Sequence, residues 1–526
     1  MAPRLSERII LAVAILIPAS VAIAHWLLAP PIISHDTIIG FETWRSMQQG
    51  AGWNQLLAPD PADISRSSGG FLTWWSPGQY LPAGLLMGLG ASMGAAVLLI
   101  SFAGACSLVF GMWRLCLAMG SSGREAALAA LAAAATWHTL YAFGMFNGGE
   151  VALMAVWPWI LLCAWRLQDR PWLQALVLPL LLVAGSYAKL SFGLYAIGLL
   201  VFLWLEAARE RQWQWRNLLA NGVRLAAAGG VYLAVWYWIH LSRGPVPMDK
   251  GIAVAPVTTC IGFALSAPWF AAAGFGSMVG RLFAIRGIAS DAGWEKLHAV
   301  LAVSGAAGAV SYGYLLCHRR RLMRLAGTVC FVAALLLAVL MARGGAISLE
   351  DRHLRPAGVL LLAVCASWAA SRRAWPRVVF ATALALAVLY GLGASVQRIV
   401  NGRMFSVRAS NHIGVLDIDR DSLRLLERLD VAGSVIYLQN LNLAPVVQHA
   451  RVIVADNPSR DEAWHAANPI LGRVPALVLV LPESYSLDGR ALAVRARFQN
   501  YREQEWHRTQ HGKWVFWQAG GPPAAP

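Results

Sequence analysis

Charge is scarce in this chain, and acid is scarcer than base. Only 13% of the residues are charged against 58% hydrophobic, and 27 acids face 43 lysines and arginines. That leaves too few solvated side chains to cover a soluble protein of 526 residues. Cysteine is sparse as well. Cys106, Cys116, Cys163, Cys260, Cys317, Cys330 and Cys365 all lie in or beside apolar runs, and none falls in the polar C-terminal part. No disulfide framework or zinc site is therefore expected, and the thiols read as small apolar side chains. The strands read in the C-terminal part give no Gly-rich loop of the phosphate-cradling kind, which argues against a nucleotide site there. No internal repeat and no ionisable group near mid-membrane is found, which argues against a transporter. The net charge of +16 comes without a basic-aromatic groove, so nucleic acid is not an expected partner.

What is present is hydrophobic length. Mean hydropathy is +0.53, there are 24 tryptophans, and runs of the roughly 20 apolar residues that cross a bilayer recur along the chain. About 11 spans are expected, near 9–29, 92–117, 125–145, 150–167, 172–188, 190–207, 218–240, 297–316, 325–342, 356–371 and 377–396. The first carries "AIA" before His25, loosely like a signal-peptidase site, but reads as a retained helix. The connections "GSSGRE", "WRLQDRPW", "EAARERQWQWRN", "HRRRLMR" and "SRRAWPR" are short and arginine-bearing, which the positive-inside rule assigns to the cytoplasm. The alternate connections and the tail then lie outside. This predicts a mainly α, polytopic membrane region over 1–397, with an external first loop at 30–91, and an extracytoplasmic α/β region over 398–526.

The phase of these loops puts Asp36, Glu42, Glu150, Glu350, Asp351, Lys189, His353 and Arg355 on one side. Ionisable groups at membrane depth are costly and face a cavity or each other, so one external site is expected; ordinary solvated loop charges are the alternative. In "ISHDTIIGFETWRSMQQG", Ile38, Phe41, Trp44 and Met47 recur every three residues, predicting an amphipathic helix over 37–49. Asp36 then stands at its N-cap, where capping alone would explain a carboxylate. Glu42, three residues before Arg45, could be a local helix-surface pair. "FLTWWSPGQYLPAGLLMGLG" puts Trp74, Trp75 and Tyr80 in an interfacial aromatic belt, and its run 78–90 is too short to span. The apolar but broken 241–296 segment reads as external re-entrant or interfacial helices, with Arg281 and Arg286 contacting phosphate or snorkelling.

Taken in order, these stretches resemble the GT-C glycosyltransferases, polytopic enzymes that use polyprenyl-phosphate sugars, including protein O-mannosyltransferases and lipid A aminoarabinose transferases. The resemblance covers roughly residues 9–396. It implies an Asp in the first external loop at Asp36, an amphipathic helix after it, and a Pro-x-x-Tyr-like entry at Pro77–Tyr80. "GSYAKLSFGLYAIGLL" is similar to the family's Thr-Lys-Gly segment, with Lys189 as the lysine. "LEDRHLRPAGVLLL" is similar to its Arg-Tyr-x-x-Pro helix start, with Arg352, His353 and Pro356 in the matching places. The chain departs from the family in having Thr37 after Asp36, His353 for the tyrosine, and Leu190 and Ser191 after the lysine.

The resemblance implies an inverting transfer from a polyprenyl-phosphate sugar to a lipid, glycan or protein acceptor. The chemistry needs a base for the acceptor proton, for which Asp36 is the candidate, and cations for the leaving phosphate. Lys189, Arg352, His353 and Arg355 are the candidates there, with free N–H groups at a helix opened by Pro356. Alternatively "EDRHLRP" is a self-neutralised loop. Glu42 and Glu150 are the acceptor-side or secondary acids, and Glu150 could simply be a helix N-terminal acid. No cofactor is required and no metal is indicated, although some members of the family use a divalent ion. The expected location is a bacterial inner membrane, with the site on the periplasmic side. In the tail, "DIDRDSLRLLERLD" reads as a helix, "SVIYL", "ARVIVA" and "ALVLVLP" as strands, and "ARFQNYREQEWHRT" with "GKWVFWQAG" as a hairpin about His511 and Gly512. His449, His465 and Asp456 form no metal-ligand spacing. Two other classes stay open: a non-catalytic GT-C-fold assembly partner, and a transporter of a polyprenyl-linked glycan.

Overall fold

The computed structural model describes residues 4–210, 213–244, 257–274, 291–343, 351–371, 375–455, 464 and 467–520. The apolar runs are helices, because a segment in hydrocarbon must satisfy its own backbone N–H and C=O groups. In chain order these are α1 (Leu5–Leu28), strand β1 (Ile32–Ile33), α2 (His35–Gln48), the hairpin β2 (Gln55–Asp60) and β3 (Asp63–Phe71), and α3 (Leu81–Gly88). Next come α4 (Met93–Ala118), α5 (Gly123–Ala135), α6 (Trp137–Gly144), β4 (Met145–Phe146), α7 (Gly148–Arg166), α8 (Pro171–Ala188), α9 (Gly193–Glu210) and α10 (Trp215–Ile239). The bundle closes with α11 (Val257–Ala273), α12 (Asp291–Cys317), α13 (Arg321–Ala342), α14 (Arg355–Ser371) and α15 (Trp375–Phe405).

Ten helices among the described residues are long and apolar enough to span a membrane. The eleventh expected span is α14, which has only 17 residues, short of the roughly 20 that cross a bilayer. The span expected at 125–145 is broken. Thr136 has extended backbone, and the hydroxyls of Thr136 and Thr139 both donate to the carbonyl of Ala133, at 3.1 and 2.6 Å. Such back-bonding competes with the helix ladder and bends the chain there.

Of the broken 241–296 segment, α11 is described. Gly305 faces Gly262 and Gly308 faces Leu265, so α11 and α12 run parallel with their backbones in close approach. The arginine-rich connections lie at one end of the bundle. Ion pairs join them there: Arg320 to Glu125 at 3.1 Å, Arg321 to Glu210 at 3.2 Å, and Arg324 to the buried Glu206. Arg281, Arg286, Glu350, Asp456 and His465, and the side chains of Asp351 and Arg352, lie outside the described residues.

Beyond α15 the chain forms a hairpin of β5 (Ser406–Arg408) and β6 (Gly414–Leu416), then α16 (Arg420–Leu429), β7 (Val435–Leu438), β8 (Arg451–Val454), β9 (Ala476–Pro482), α17 (Arg490–Ala496), β10 (His507–His511) and β11 (Trp514–Gly520). Five strands make one sheet in the order β10-β11-β9-β7-β8, with β7 parallel to both β8 and β9 and the terminal hairpin antiparallel. The hairpin turns at Gly512, as expected, but its first strand starts at His507. Phe498, Tyr501 and Trp506 before it are packed into the sheet's core instead of a ladder.

The sheet shares that packing with the first loop. Ile38 and Phe41 of α2, Tyr80, Phe146 and the core faces of α16, β7 and β9 form one buried cluster. Backbone bonds join the C-terminal region to the first 94 residues. Gly414 N donates to Pro31 O at 2.8 Å, Gly94 N to Asn411 O at 3.0 Å, and Ile64 N to Leu471 O at 2.8 Å. The C-terminal strands therefore act as a platform beneath the segment that carries Asp36.

Candidate active site

The site is assembled by a two-residue parallel pairing. Ile32 and Ile33 run alongside Met145 and Phe146, and Ser34 N donates to Phe146 O at 3.0 Å. This pairing holds Ser34 extended, so α2 begins at His35 and Ser34 occupies the cap position. The expectation that Asp36 is the N-cap is thereby corrected: Asp36 lies in the first turn, half-buried, where the positive end of the helix favours a carboxylate. The neighbouring Thr37 is the link across the site. Its hydroxyl oxygen accepts from Ser34 Oγ at 3.0 Å and from the backbone N–H of Gly148 at 3.1 Å. The first turn of α2 is thus bonded to the first turn of α7, two residues before Glu150.

The turn Pro77–Gln79 closes the cluster from the third side. A Cβ on Gly148 would stand 1.6 Å from Gln79 O, and one on Gly78 would stand 2.6 Å from Ala188 Cα. The two glycines let the turn wedge between the start of α7 and the end of α8, where Lys189 follows. Tyr80, expected in an interfacial belt, is instead fully buried, and its hydroxyl donates to Asn54 Oδ1 at 2.7 Å. For Tyr80 the belt reading fails because the turn is packed inward.

Within this frame Lys189 and Glu150 form an ion pair, their side chains 11% and 5% exposed. Glu150 also lines a cavity with Asn147, His138, Tyr141, Met145 and Arg355. The cavity holds about 370 Å³ of empty space but is narrow, with about 20 Å³ open to the centre of a water molecule. Arg355 is the first residue of α14 and is buried. Its guanidinium carbon lies 5.2 Å from the centre of the Tyr141 ring, and its Nε makes no hydrogen bond among the described residues. A buried guanidinium at a helix N-terminus is suited to an anion. His353 sits in the 3₁₀ turn before α14, its carbonyl accepting from the hydroxyl of the buried Tyr195. Arg352 is in the same turn, with its side chain outside the described residues.

Glu42 is placed elsewhere. Six residues along α2 from Asp36, it lies about 120° around the helix, and it pairs with Arg45, which donates to Val447 O of the C-terminal region. Burial pushes the Glu42 carboxyl up to about 7, against the pull of Arg45 and with the help of Asp430. The local-pair reading describes Glu42, with the addition that the pair is an interface between α2 and the C-terminal strands.

The structure thus brings Asp36, Glu150, Lys189 and Arg355 to one end of the bundle, opposite the arginine-rich loops. Sequence reasoning missed Tyr141 and Arg398. Tyr141 sits inside an apolar run and carries no signal. Arg398, two residues past the expected end of the last span, stacks on Tyr141 at 3.8 Å from the centre of the ring that Arg355 also approaches, and on Trp137 at 5.0 Å. Among the described residues no three His, Cys, Asp or Glu side chains converge, and Glu150 is committed to an ammonium group.

No protein-family model matches the sequence, and no curated protein sequence matches it. Solved structures do match. ArnT from Cupriavidus metallidurans, bound to undecaprenyl phosphate, aligns over 96% of this chain and 99% of its own length, at 13% identity and a TM-score of 0.51. The arabinofuranosyltransferase AftD from Mycobacteria aligns over 99% of this chain at 16% identity and a TM-score of 0.48, and this chain spans 41% of its length. The archaeal oligosaccharyltransferase AglB from Archaeoglobus fulgidus, in complex with an inhibitory peptide and a dolichol-phosphate, aligns over 99% of this chain and 75% of its own, at 12% identity and 0.47. At 13% identity the ArnT match speaks for the fold alone, and this chain has the GT-C fold that its sequence motifs resemble.

Proposed function

We propose that the chain is a membrane glycosyltransferase that moves a sugar from a polyprenyl-phosphate donor to a lipid, glycan or protein acceptor, with inversion at the anomeric carbon. The observation that carries this reading is the placement of one carboxylate, Asp36, a lysine, Lys189, and a buried arginine at a helix N-terminus, Arg355, at the same end of a GT-C bundle. The distribution of arginine loops supports a periplasmic site in a bacterial inner membrane.

In the reaction, an acceptor hydroxyl or amine attacks the anomeric carbon as the bond from that carbon to the donor phosphate oxygen breaks. Asp36 takes the acceptor proton as general base. The polyprenyl phosphate departs as an anion, and its developing charge is met by Arg355, Lys189, Arg352 and the free N–H groups of α14. His353 helps to hold the phosphate. Glu150, which lines the cavity, holds Lys189 beside it and serves as the secondary acid. Because the cavity as it stands takes little more than a water, admission of a sugar requires the wall formed by Arg355 and Tyr141 to move. Closure back onto the donor would exclude water from the bond being broken.

The experiment is release of polyprenyl phosphate from a panel of polyprenyl-phosphate sugars by purified protein in nanodiscs, comparing wild type with Asp36→Asn. Loss of a general base lowers turnover by about 10²–10⁴-fold. Release lost in a folded Asp36→Asn protein supports the transferase. Equal release from both refutes Asp36 as the base, and no release from folded wild type across the panel points to an assembly partner.

A further inference from the structure

A second cavity lies beside the first, on the far side of Met145, which lines both. It opens between the ends of α1 and α15 on the site side of the bundle, and is bounded by β4 and β6. It holds about 690 Å³ of space, part of it open to the surroundings, with about 200 Å³ open to water centres, so it is wider than the first. Its polar walls are His25, Gln397, Arg398 and Asn401.

Two of these have the chemistry of a receptor. His25 is 1% exposed. Its Nδ1 lies 3.0 Å from Ala29 O, and since a carbonyl can only accept, Nδ1 carries the proton. In the neutral ring Nε2 is then a lone-pair acceptor, and it has no hydrogen-bond partner among the described residues. A buried acceptor without a partner costs roughly 1–3 kcal/mol, a debt that a ligand hydroxyl at this place would cancel. Arg398 supplies the cation. A Cβ on Gly144 would meet His25 Cε1 at 3.0 Å and Arg398 Cδ at 3.1 Å, so the two side chains meet over a residue that has none. Gly144 keeps the cradle between them open. Asn401 and Gln397 at the rim can donate and accept.

We propose that this cavity binds a phosphodiester that carries a free hydroxyl, the phosphate held by Arg398 and the hydroxyl donating to His25 Nε2. The site goes beyond the transfer reaction and does not depend on it. It stands at the ends of membrane helices, where a phosphoglycerol lipid head would lie, and the same chemistry would accept free phosphate from solution.

The test is native mass spectrometry of the full chain in detergent, titrated with dihexanoylphosphatidylglycerol, with inorganic phosphate, and with dihexanoylphosphatidylcholine, which lacks the hydroxyl and the net charge. Saturable binding of phosphatidylglycerol but not phosphatidylcholine is expected, weakened at least tenfold in Arg398→Gln and severalfold in His25→Phe. Inorganic phosphate bound with the same Arg398 dependence assigns the site to a free phosphate; phosphatidylglycerol bound alone assigns it to a lipid. Binding unchanged in Arg398→Gln, or no binding of either anion, overturns the proposal. Should Arg398→Gln fail to fold, Asn401→Ala at the exposed rim and Gly144→Val, which fills the cradle, decide in its place. Donor cleavage is read separately: head-group binding without cleavage refutes only the transferase, and cleavage without head-group binding refutes only this site.

Discussion

The Glu150–Lys189 pair offers the most direct test of how the site is held. Both side chains are nearly enclosed, 5% and 11% exposed, and they join the start of α7 to the end of α8. Replacing Lys189 by Met keeps length and volume but leaves the Glu150 carboxylate buried without its ammonium partner. Removing one member of a buried pair costs about 3–5 kcal/mol, because the remaining charge is uncompensated. Glu150→Gln carries a similar penalty for the stranded lysine, reduced where that flexible chain can reach water. The double variant Glu150→Gln/Lys189→Met removes both charges, and neutral replacements of buried pairs are often close to neutral in stability. The double variant should therefore be more stable than Lys189→Met, with a coupling near the upper end of the usual range of about 0.5–3 kcal/mol. Reversible unfolding in mixed micelles, followed by tryptophan fluorescence on all four proteins, measures this. If the single changes add to the double within about 0.5 kcal/mol, the two residues are not a coupled buried pair and the account of Lys189 is refuted.

The remaining predictions concern the frame and the interface. Gly148→Ala puts a Cβ at 1.6 Å from Gln79 O, and the neighbour is backbone, so the turn must shift by more than an ångström. Overpacking of this kind costs about 1–3 kcal/mol and a 1 Å misplacement about 10²-fold in rate. Both melting temperature and donor cleavage should fall, and wild-type turnover in Gly148→Ala refutes the wedge. The Glu42 carboxyl is raised from 4.5 to about 7 by burial at the contact with the C-terminal region. Because the folded value lies above the unfolded one, its contribution to stability is fully present below about pH 4.5 and is lost as pH rises through about 7. Melting curves of wild type should lose stability across that window, and Glu42→Gln should remove that component. Identical pH profiles for the two proteins would show that Glu42 titrates normally.

The order and type of most elements were legible in the sequence, because in hydrocarbon the apolar run and the helix are nearly the same statement. The arginine loops, the short amphipathic helix of the first loop, the helix opened by Pro356 and the terminal hairpin at Gly512 all carry local signals: charge between apolar runs, a three-residue period, a fixed φ, a turn glycine. Boundaries that depend on a partner were not legible. The start of α2 at His35 follows from β1 pairing with β4 more than a hundred residues away. The kink at Thr136 follows from two hydroxyls bonding one carbonyl, and the inward burial of Tyr80 from the wedge at Gly78 and Gly148. The hairpin β2–β3 was hidden because its polar, Gly-rich strand "DISRSSGGF" shows no alternation.

The candidate residues divide in the same way. Asp36, Glu150, Lys189 and Arg355 could be picked out singly because an ionisable group beside an apolar run is expensive and so conspicuous. Which of them meet was a matter for the tertiary structure alone. Only the folded bundle makes Glu150 the partner of Lys189, docks Glu42's partner Arg45 on Val447, and sets Arg355 and Arg398 on one tyrosine. The sequence by itself determined that the chain crosses a membrane many times and where its charges lie along it, since these depend on neighbours in the chain. The tertiary structure decided the cavities, since a cavity is made by residues whose proximity no local pattern encodes.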